Sequence, residues 1–416
     1  MKRKNVLFSA VLLTVMLAAV LNSCKKDPTD FTLATLVTGT IDLNGATSVN
    51  TVPVKPAIVA TFNTDIDVAT AIPANVSLIQ DYDKAVIIVT VTASGKTLTI
   101  TPVDDLGNGA LYNLTLSSGL KSTGGLALTQ VIRKFTTIGT FVPKGTFAHW
   151  NFEDNANDVV GTFDPLPSGI VNITYSASHS TSAGKAANFD GTTSIIEIPN
   201  GDQLMNTHDF TLSLWVKPAN SGKGHFIIGL AAFYGFQFEL NANFSSFKMP
   251  VQFDYGDGTS GTGGDLFYNG DGKTKDNGGW KGTVYNKENS TLSSLLQEKW
   301  FHITYVYNSL TKQRAMFLNG ELVVKQDHNL WFDDNGVPYK ETGIVGLKYA
   351  GVAPETVNEL AFGFVQSRAG TLWDTEAWGG YDLPGANHFQ GQLDEVRIFH
   401  KALTDNEILL MYNSEK

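Results

Sequence analysis

A single cysteine, Cys24, stands in 416 residues, so no internal disulfide framework can staple the chain. Long runs of Ala, Leu, Glu and Lys are missing after residue 30, which excludes a helical bundle and leaves an all-β architecture. Basic stripes are absent outside the N-terminus and the formal net charge is −10, which argues against nucleic acid as a partner. No Ser-His-Asp or metal-hydrolase constellation appears, and His302 sits inside a strand pattern. What is plentiful is glycine, 40 residues of it, with Thr and Asn between short β-branched runs. That is the composition of many turns. Acidic loops rich in Asn and Gly suit a neutral polar ligand or a metal ion better than a polyanion. The length leaves room for two or three domains with large cores.

At the N-terminus, Lys2, Arg3 and Lys4 precede an apolar run from Val6 to Val20, too short for a comfortable membrane span and patterned as a secretory signal. The run ends in Leu21-Asn22-Ser23-Cys24, which resembles the lipobox of bacterial lipoproteins. The resemblance implies that residues 1–24 are a lipoprotein signal peptide and that Cys24 is lipidated. Several acyl chains then give lasting anchorage, at about 0.8 kcal/mol per buried CH₂. Residues 25–35 read as a polar tether, and Lys25-Lys26-Asp27 resembles surface-export tags of some Gram-negative lipoproteins. The expected location is the outer membrane, facing outward, with the membrane touched through the lipid only.

From 36 to 138 come about seven short strands separated by turn signals, among them Ala57 to Phe62, Ala85 to Thr92, Thr97 to Pro102 and Ala110 to Leu116. Without a Cys pair this predicts a disulfide-free immunoglobulin-like sandwich. The pieces Phe62-Asn-Thr-Asp-Ile-Asp67, Leu98 to Pro102, Gly109-Ala-Leu-Tyr112, Gly124-Gly125 and Phe135-Thr-Thr137 resemble the bacterial Ig-like domains of surface lipoproteins. There such domains act as spacers. Residues 139–145, with Pro143, read as a linker.

The second unit, 146–416, is also all-β. Phe210, Leu212, Leu214 and Val216 alternate with Thr211, Ser213, Trp215 and Lys217, the period of a strand. Ala315 to Val324 around Asn319-Gly320 predicts a hairpin with a type I′ turn. In the last strand Val396 and Ile398 alternate with Glu395 and Arg397, and on that count Asp394 shares the apolar face with Val396 and Ile398. Thr404 and Glu407 form a capping box that opens a short final helix. A C-terminal strand this regular is expected to be central in its sheet, beside the unit's first strand. Ala148-His-Trp-Asn-Phe152, Phe189-Asp-Gly191, Phe210 to Pro218, Trp300-Phe-His-Ile303, Leu318-Asn-Gly320 and Gly391 to Ile408 together resemble the laminin-G-like, concanavalin A-like jelly roll. The resemblance implies two packed sheets, with ligands on the concave face or at a rim of loops. It does not choose between lectins, adhesins, glycosidases and lyases.

Three sets of residues are candidates for chemistry. Asp394, with Asp154 at the end of the first strand, offers hard oxygen ligands for a structural Ca²⁺. The segments Asp254 to Lys299, Asp327 to Glu341 and Gln366 to Asn387 exceed what hairpins need. They carry Trp280, Trp331, Trp373, Trp378 and Tyr381, rings on which the C–H faces of sugars could stack. Glu239 and Asp254 are an alternative catalytic pair, expected to face each other across neighbouring strands at the 5–10 Å that glycoside hydrolysis requires. The Glu-x-Asp-x-(x)-Glu run of jelly-roll glycosidases is missing. The leading expectation is a non-catalytic, outward-facing lipoprotein that binds a polysaccharide or oligosaccharide and passes it to glycan-uptake proteins. A glycoside hydrolase or polysaccharide lyase, and an adhesin for protein or cell wall, are the alternatives.

Overall fold

A computed structural model describes residues 30–45, 47–271 and 282–416; Cys24 and Trp280 lie outside them. The chain divides into two compact units, the first ending at Gly139 and the second running from Thr140 to Lys416.

The first unit packs two five-stranded sheets. In one, Leu33–Thr38, Ile58–Phe62, Thr97–Pro102 and Val89–Ser94 follow one another. In the other, Val131–Thr137, Leu111–Leu116 and Val76–Gln80 do. Every second residue points inward, so Ile58, Ala60, Leu98, Ile100, Tyr112 and Leu114 are buried while their neighbours meet water. The Tyr112 hydroxyl spans the interior, donating to Gln80 Oε1 at 3.0 Å and accepting from the Gly107 amide at 2.8 Å.

The second unit is a larger sandwich of a nine-stranded and a seven-stranded sheet, with a three-stranded sheet beside them. Strand Gln390–Phe399 is central in the nine-stranded sheet. It pairs with Phe210–Pro218 on one side and with both Thr146–Trp150 and Lys185–Asp190 on the other, so first and last strands lie together as expected. Leu212, Leu214, Val216, Ile303, Val396 and Ile398 meet Ile196, Ile228, Phe238 and Phe362 of the opposing sheet in one continuous core. Asn319 and Gly320 both have positive φ, 52° and 78°, the backbone of the type I′ turn.

The last strand departs from simple alternation. Ser213 pairs with Arg397 but Trp215 with Asp394, so two residues on the last strand stand against one on its neighbour. Glu395 adopts φ 50° at this β-bulge. Asp394 is thereby turned away from Val396 and onto the sheet's outer face, opposite Trp215. The expectation that it shares the apolar side is corrected by that one extra residue.

This outer face is covered by the final helix, Asp405–Glu415, whose capping box closes through Thr404 and Glu407. Arg397 and Glu415 are both buried and joined at 2.6 Å. The second oxygen of Glu415 accepts from Trp215 Nε1 at 2.6 Å. Arg397 also pairs with Glu395, which holds His149 at 2.6 Å. The His179 ring stacks on Trp215 at 4.0 Å. Asp394 accepts from the Glu395 amide at 2.8 Å and from the Ser178 hydroxyl. Burial, helped by the charge of Glu395, raises its pKa to about 9. Glu395 goes the other way: although burial pushes it up, Arg397 and His149 hold it well below the usual carboxylate range.

On the opposite side of the sandwich, the segment 363–388 lies flat over the seven-stranded sheet. It passes so near Gly229 that a Cβ there would sit 2.1 Å from the Val365 carbonyl oxygen. Only glycine permits that crossing.

Three outcomes follow. Glu415→Ala removes one of the two carboxylates on Arg397 and leaves the Trp215 N–H without its acceptor, costing about 3 kcal/mol in urea unfolding. Asp394 is protonated in the fold at neutral pH and ionised when unfolded. Its contribution is therefore complete below about pH 4 and is lost as pH rises toward 9. Asp394→Asn accordingly gains stability on wild type as pH is raised through that window, which melting curves at stepped pH will show. Gly229→Ala lifts the covering segment, at a cost on the order of 1–3 kcal/mol, and limited proteolysis then nicks within 366–387.

Candidate functional site

In an antiparallel sheet, residues directly opposite one another share a face. Across four strands of the seven-stranded sheet, His225–Leu230, Phe236–Leu240, Phe247–Met249 and Leu266–Tyr268, the register aligns Phe226 with Glu239, Glu239 with Lys248, and Lys248 with Phe267. A bulge between Phe226 and Ile228 places Ile227 and Ile228 both in the main core. Phe226 turns outward, into a small cluster with Ile195, Ala361, Phe364 and Val365. The result is an outward row of ring, carboxylate, ammonium, ring.

Its polar middle is tightly bound. Lys248 Nζ lies 3.2 Å from Glu239 and 3.0 Å from Asp265. Gln237, on the same face as Glu239, donates to it through Nε2 at 2.5 Å. The Gln237 Oε1 is buried and has no hydrogen-bond partner among the described residues. Burial raises the pKa of Glu239 against the pull of Lys248. For Lys248, burial works downward, and the charges of Glu239 and Asp265 outweigh it to raise the pKa.

Phe226 itself is enclosed, 3% exposed, and the open ring at its end of the row is Trp378. Phe267 is 37% exposed and Trp378 is 39% exposed. Trp378 comes from the covering segment and sits 6.2 Å from Phe226, ring centre to ring centre. Trp373 backs it at 4.8 Å and is itself half-buried against Phe233. The structure thus brings Glu239 and Trp378, from two separate expectations, to one face.

Tyr381 is a strut. Its hydroxyl donates to the Thr193 carbonyl oxygen, its ring meets Phe364 edge-on at 5.4 Å, and burial raises its pKa to about 12. Trp331 is only 3% exposed, packed on His328 at 4.5 Å with the Arg314 guanidinium 5.9 Å from its ring centre. The expectation that it faces solvent as a binding ring is corrected: the indole is taken out of water by packing on His328 and beside the Arg314 guanidinium.

Asp254 does not face Glu239. Glu239 is opposite Lys248, six residues before Asp254, or roughly 20 Å along extended chain. Asp254 belongs to the three-stranded sheet and lines a separate hollow of 390 Å³ with His208, Lys348 and Tyr349. The carboxylate that does approach Glu239 is Asp265. Sequence reasoning missed it because Gly263-Gly264 interrupts the strand pattern before it. The calcium ligand set is not assembled either. Asp154 is bound by Lys185 Nζ at 2.7 and 2.6 Å, and both oxygens of Asp394 already accept hydrogen bonds beside the Arg397 cation. Among the described residues no group of three or more His, Cys, Asp or Glu is placed to hold a metal ion. Nor is any helix among them long and apolar enough to cross a membrane.

Comparison with curated proteins returns no match. Among solved structures, the chain is similar to the receptor binding domain of botulinum neurotoxin mosaic serotype C/D, at 13% identity and a TM-score of 0.39, covering 65% of this chain and 50% of that one. It is also similar to the serotype D ligand binding domain in complex with N-acetylneuraminic acid, at 14% and 0.38, over 65% and 50%. A third is the binding domain of Paraclostridial Mosquitocidal Protein 1, at 14% and 0.40, over 65% and 52%. The chain spans about half the length of these solved chains. A family model described as a bacterial Ig-like domain matches residues 32–137, and one described as the concanavalin A-like lectin/glucanases superfamily matches residues 190–339. The chain therefore carries a bacterial Ig-like domain followed by a sandwich of the concanavalin A-like, laminin-G type.

Proposed function

We propose that the second domain binds carbohydrate, without cleaving it, on the outer face of its seven-stranded sheet. The observation that carries this is the cross-strand row of Phe226, Glu239, Lys248 and Phe267, with Trp378 exposed at one end. Three inter-strand gaps of about 4.8 Å make the row about 14 Å long. A pyranose has apolar C–H faces and a polar rim of hydroxyls. Rings at the two ends take the faces, while Glu239 and Asp265 accept hydrogen bonds from hydroxyls and Lys248 donates to hydroxyl oxygens. Lys248 lies between the two carboxylates and pairs with both, which suits holding a sugar better than protonating a glycosidic oxygen.

In this reading Cys24 carries a lipid that tethers the chain to the outer membrane, facing outward. The Ig-like domain is a spacer, and captured glycan passes to uptake partners. Hydrolysis is the second reading, favoured by Glu239 and Asp265 sharing one ammonium, a proximity within the range of paired glycosidase carboxylates.

Glycan-array binding followed by calorimetry tests this. Trp378→Ala and Phe267→Ala each lower affinity at least about tenfold, as loss of a stacking anchor does. Trp331→Phe lowers the melting temperature and leaves affinity intact. Full affinity in both ring variants overturns the proposal. Release of reducing ends that stops in Glu239→Gln establishes hydrolysis instead.

A further inference from the structure

The outer face of the nine-stranded sheet carries a row of its own. Thr174, Asn188, Gln392 and Lys217 stand directly opposite one another on four adjacent strands, Thr174–Ala177, Lys185–Asp190, Gln390–Phe399 and Phe210–Pro218. Their chain neighbours Ala187, Phe189, Leu393 and Val216 point into the core, so the side chains of the row point away from it. Lys217 is two residues along its strand from Trp215, which the final helix covers. These four strands are at one end of the sheet; Val284–Tyr285, the first strand after residue 281, is at the other end. Beside the row opens a hollow of 470 Å³, with a lining that includes Asn188, Lys217, Ala219, Glu298, Gln390 and Gln392.

Its two row amides are pinned by the protein itself. Gln392 Nε2 donates to Ser176 Oγ at 2.9 Å and to the Ala177 carbonyl at 3.4 Å. Ser176 Oγ donates in turn to Asn188 Oδ1 at 2.9 Å, and Asn188 Nδ2 to Thr174 Oγ1 at 3.2 Å. A carbonyl only accepts, so Gln392 turns its nitrogen to Ala177, and its Oε1 is left without a donor among the described residues. Nor do the side chains of Lys217 and Glu298 make a hydrogen bond or ion pair among those residues. Glu298 is set in the wall by its backbone: φ is 56°, uncommon for a residue with a Cβ, and its amide donates to the Pro218 carbonyl at 3.0 Å.

We propose that this hollow is a second sugar site, on the side of the domain opposite to the first; its ligand class rests on the carbohydrate reading above, its position does not. A sugar hydroxyl donates and accepts at once. The hollow answers with two acceptors, Gln392 Oε1 and the Glu298 carboxylate, and one donor, the Lys217 ammonium, around the apolar Ala219. Its volume falls within the range of small-ligand sites. The two sheets enclose one core, so the two sites look in opposite directions and the domain holds glycan on each side.

Calorimetry on the two-domain protein, with the short oligosaccharide that binds best on a glycan array, decides the matter. Two sites per chain are expected. Trp378→Ala with Phe267→Ala removes one and leaves the other. Ala219→Trp, which fills the hollow, removes the second. Lys217→Ala with Glu298→Ala weakens that second site at least about tenfold and leaves the melting temperature in place, since neither side chain carries an internal bond. A single site that Trp378→Ala abolishes, or a second site that survives Ala219→Trp, overturns the hollow and leaves the row standing. A single site lost in Ala219→Trp and indifferent to Trp378→Ala keeps the hollow and removes the row. If no oligosaccharide on the array binds, both fall.

Discussion

The buried ion pair of Arg397 and Glu415 joins the central strand of the larger sheet to the last helix, and the outer side of that sheet depends on it. Taking two charges out of water costs several kcal/mol each, and further hydrogen bonds offset that cost. Trp215 donates to Glu415, and Glu395, itself held by His149, takes a second edge of the Arg397 guanidinium. Too many carboxylates converge there for one guanidinium, and Asp394 resolves the excess by keeping its proton. Both faces of strand Phe210–Pro218 are buried as a result: one against the apolar core, the other beneath a polar network.

A second buried cation braces the stretch that carries Asp265 and Phe267. Arg314 is fully enclosed, yet its partners are the carbonyl oxygens of Gly263 and Gly264 and the side chain of Gln326, with Phe253 and Trp331 against its plane. The chain it grips leads straight into Asp265 and Phe267. Gly229 does the complementary service on the other flank, letting the covering segment lie close enough to bring Trp378 over Phe226.

Much of this was legible beforehand. The strands, the Asn319-Gly320 turn, the Thr404 capping box and the adjacency of first and last strands follow from local patterns, and the structure has them. The face of Asp394 was misjudged because a bulge adds one residue without leaving a mark in the alternation. Trp331 and Trp378 are alike as letters in long loops, yet one is enclosed and the other open. Glu239 does not face Asp254, since its neighbour across the sheet is set by how far the next strand extends before it leaves for another sheet.

By itself the sequence determined which stretches alternate, where they turn, and hence that the chain makes two β sandwiches. Those are consequences of side-chain period and backbone sterics within a few residues. Only the tertiary structure decided which rings meet water and which charges meet each other. Register, bulges and the path of a covering segment relate residues far apart in the chain, and a shift of one position moves a side chain to the opposite face.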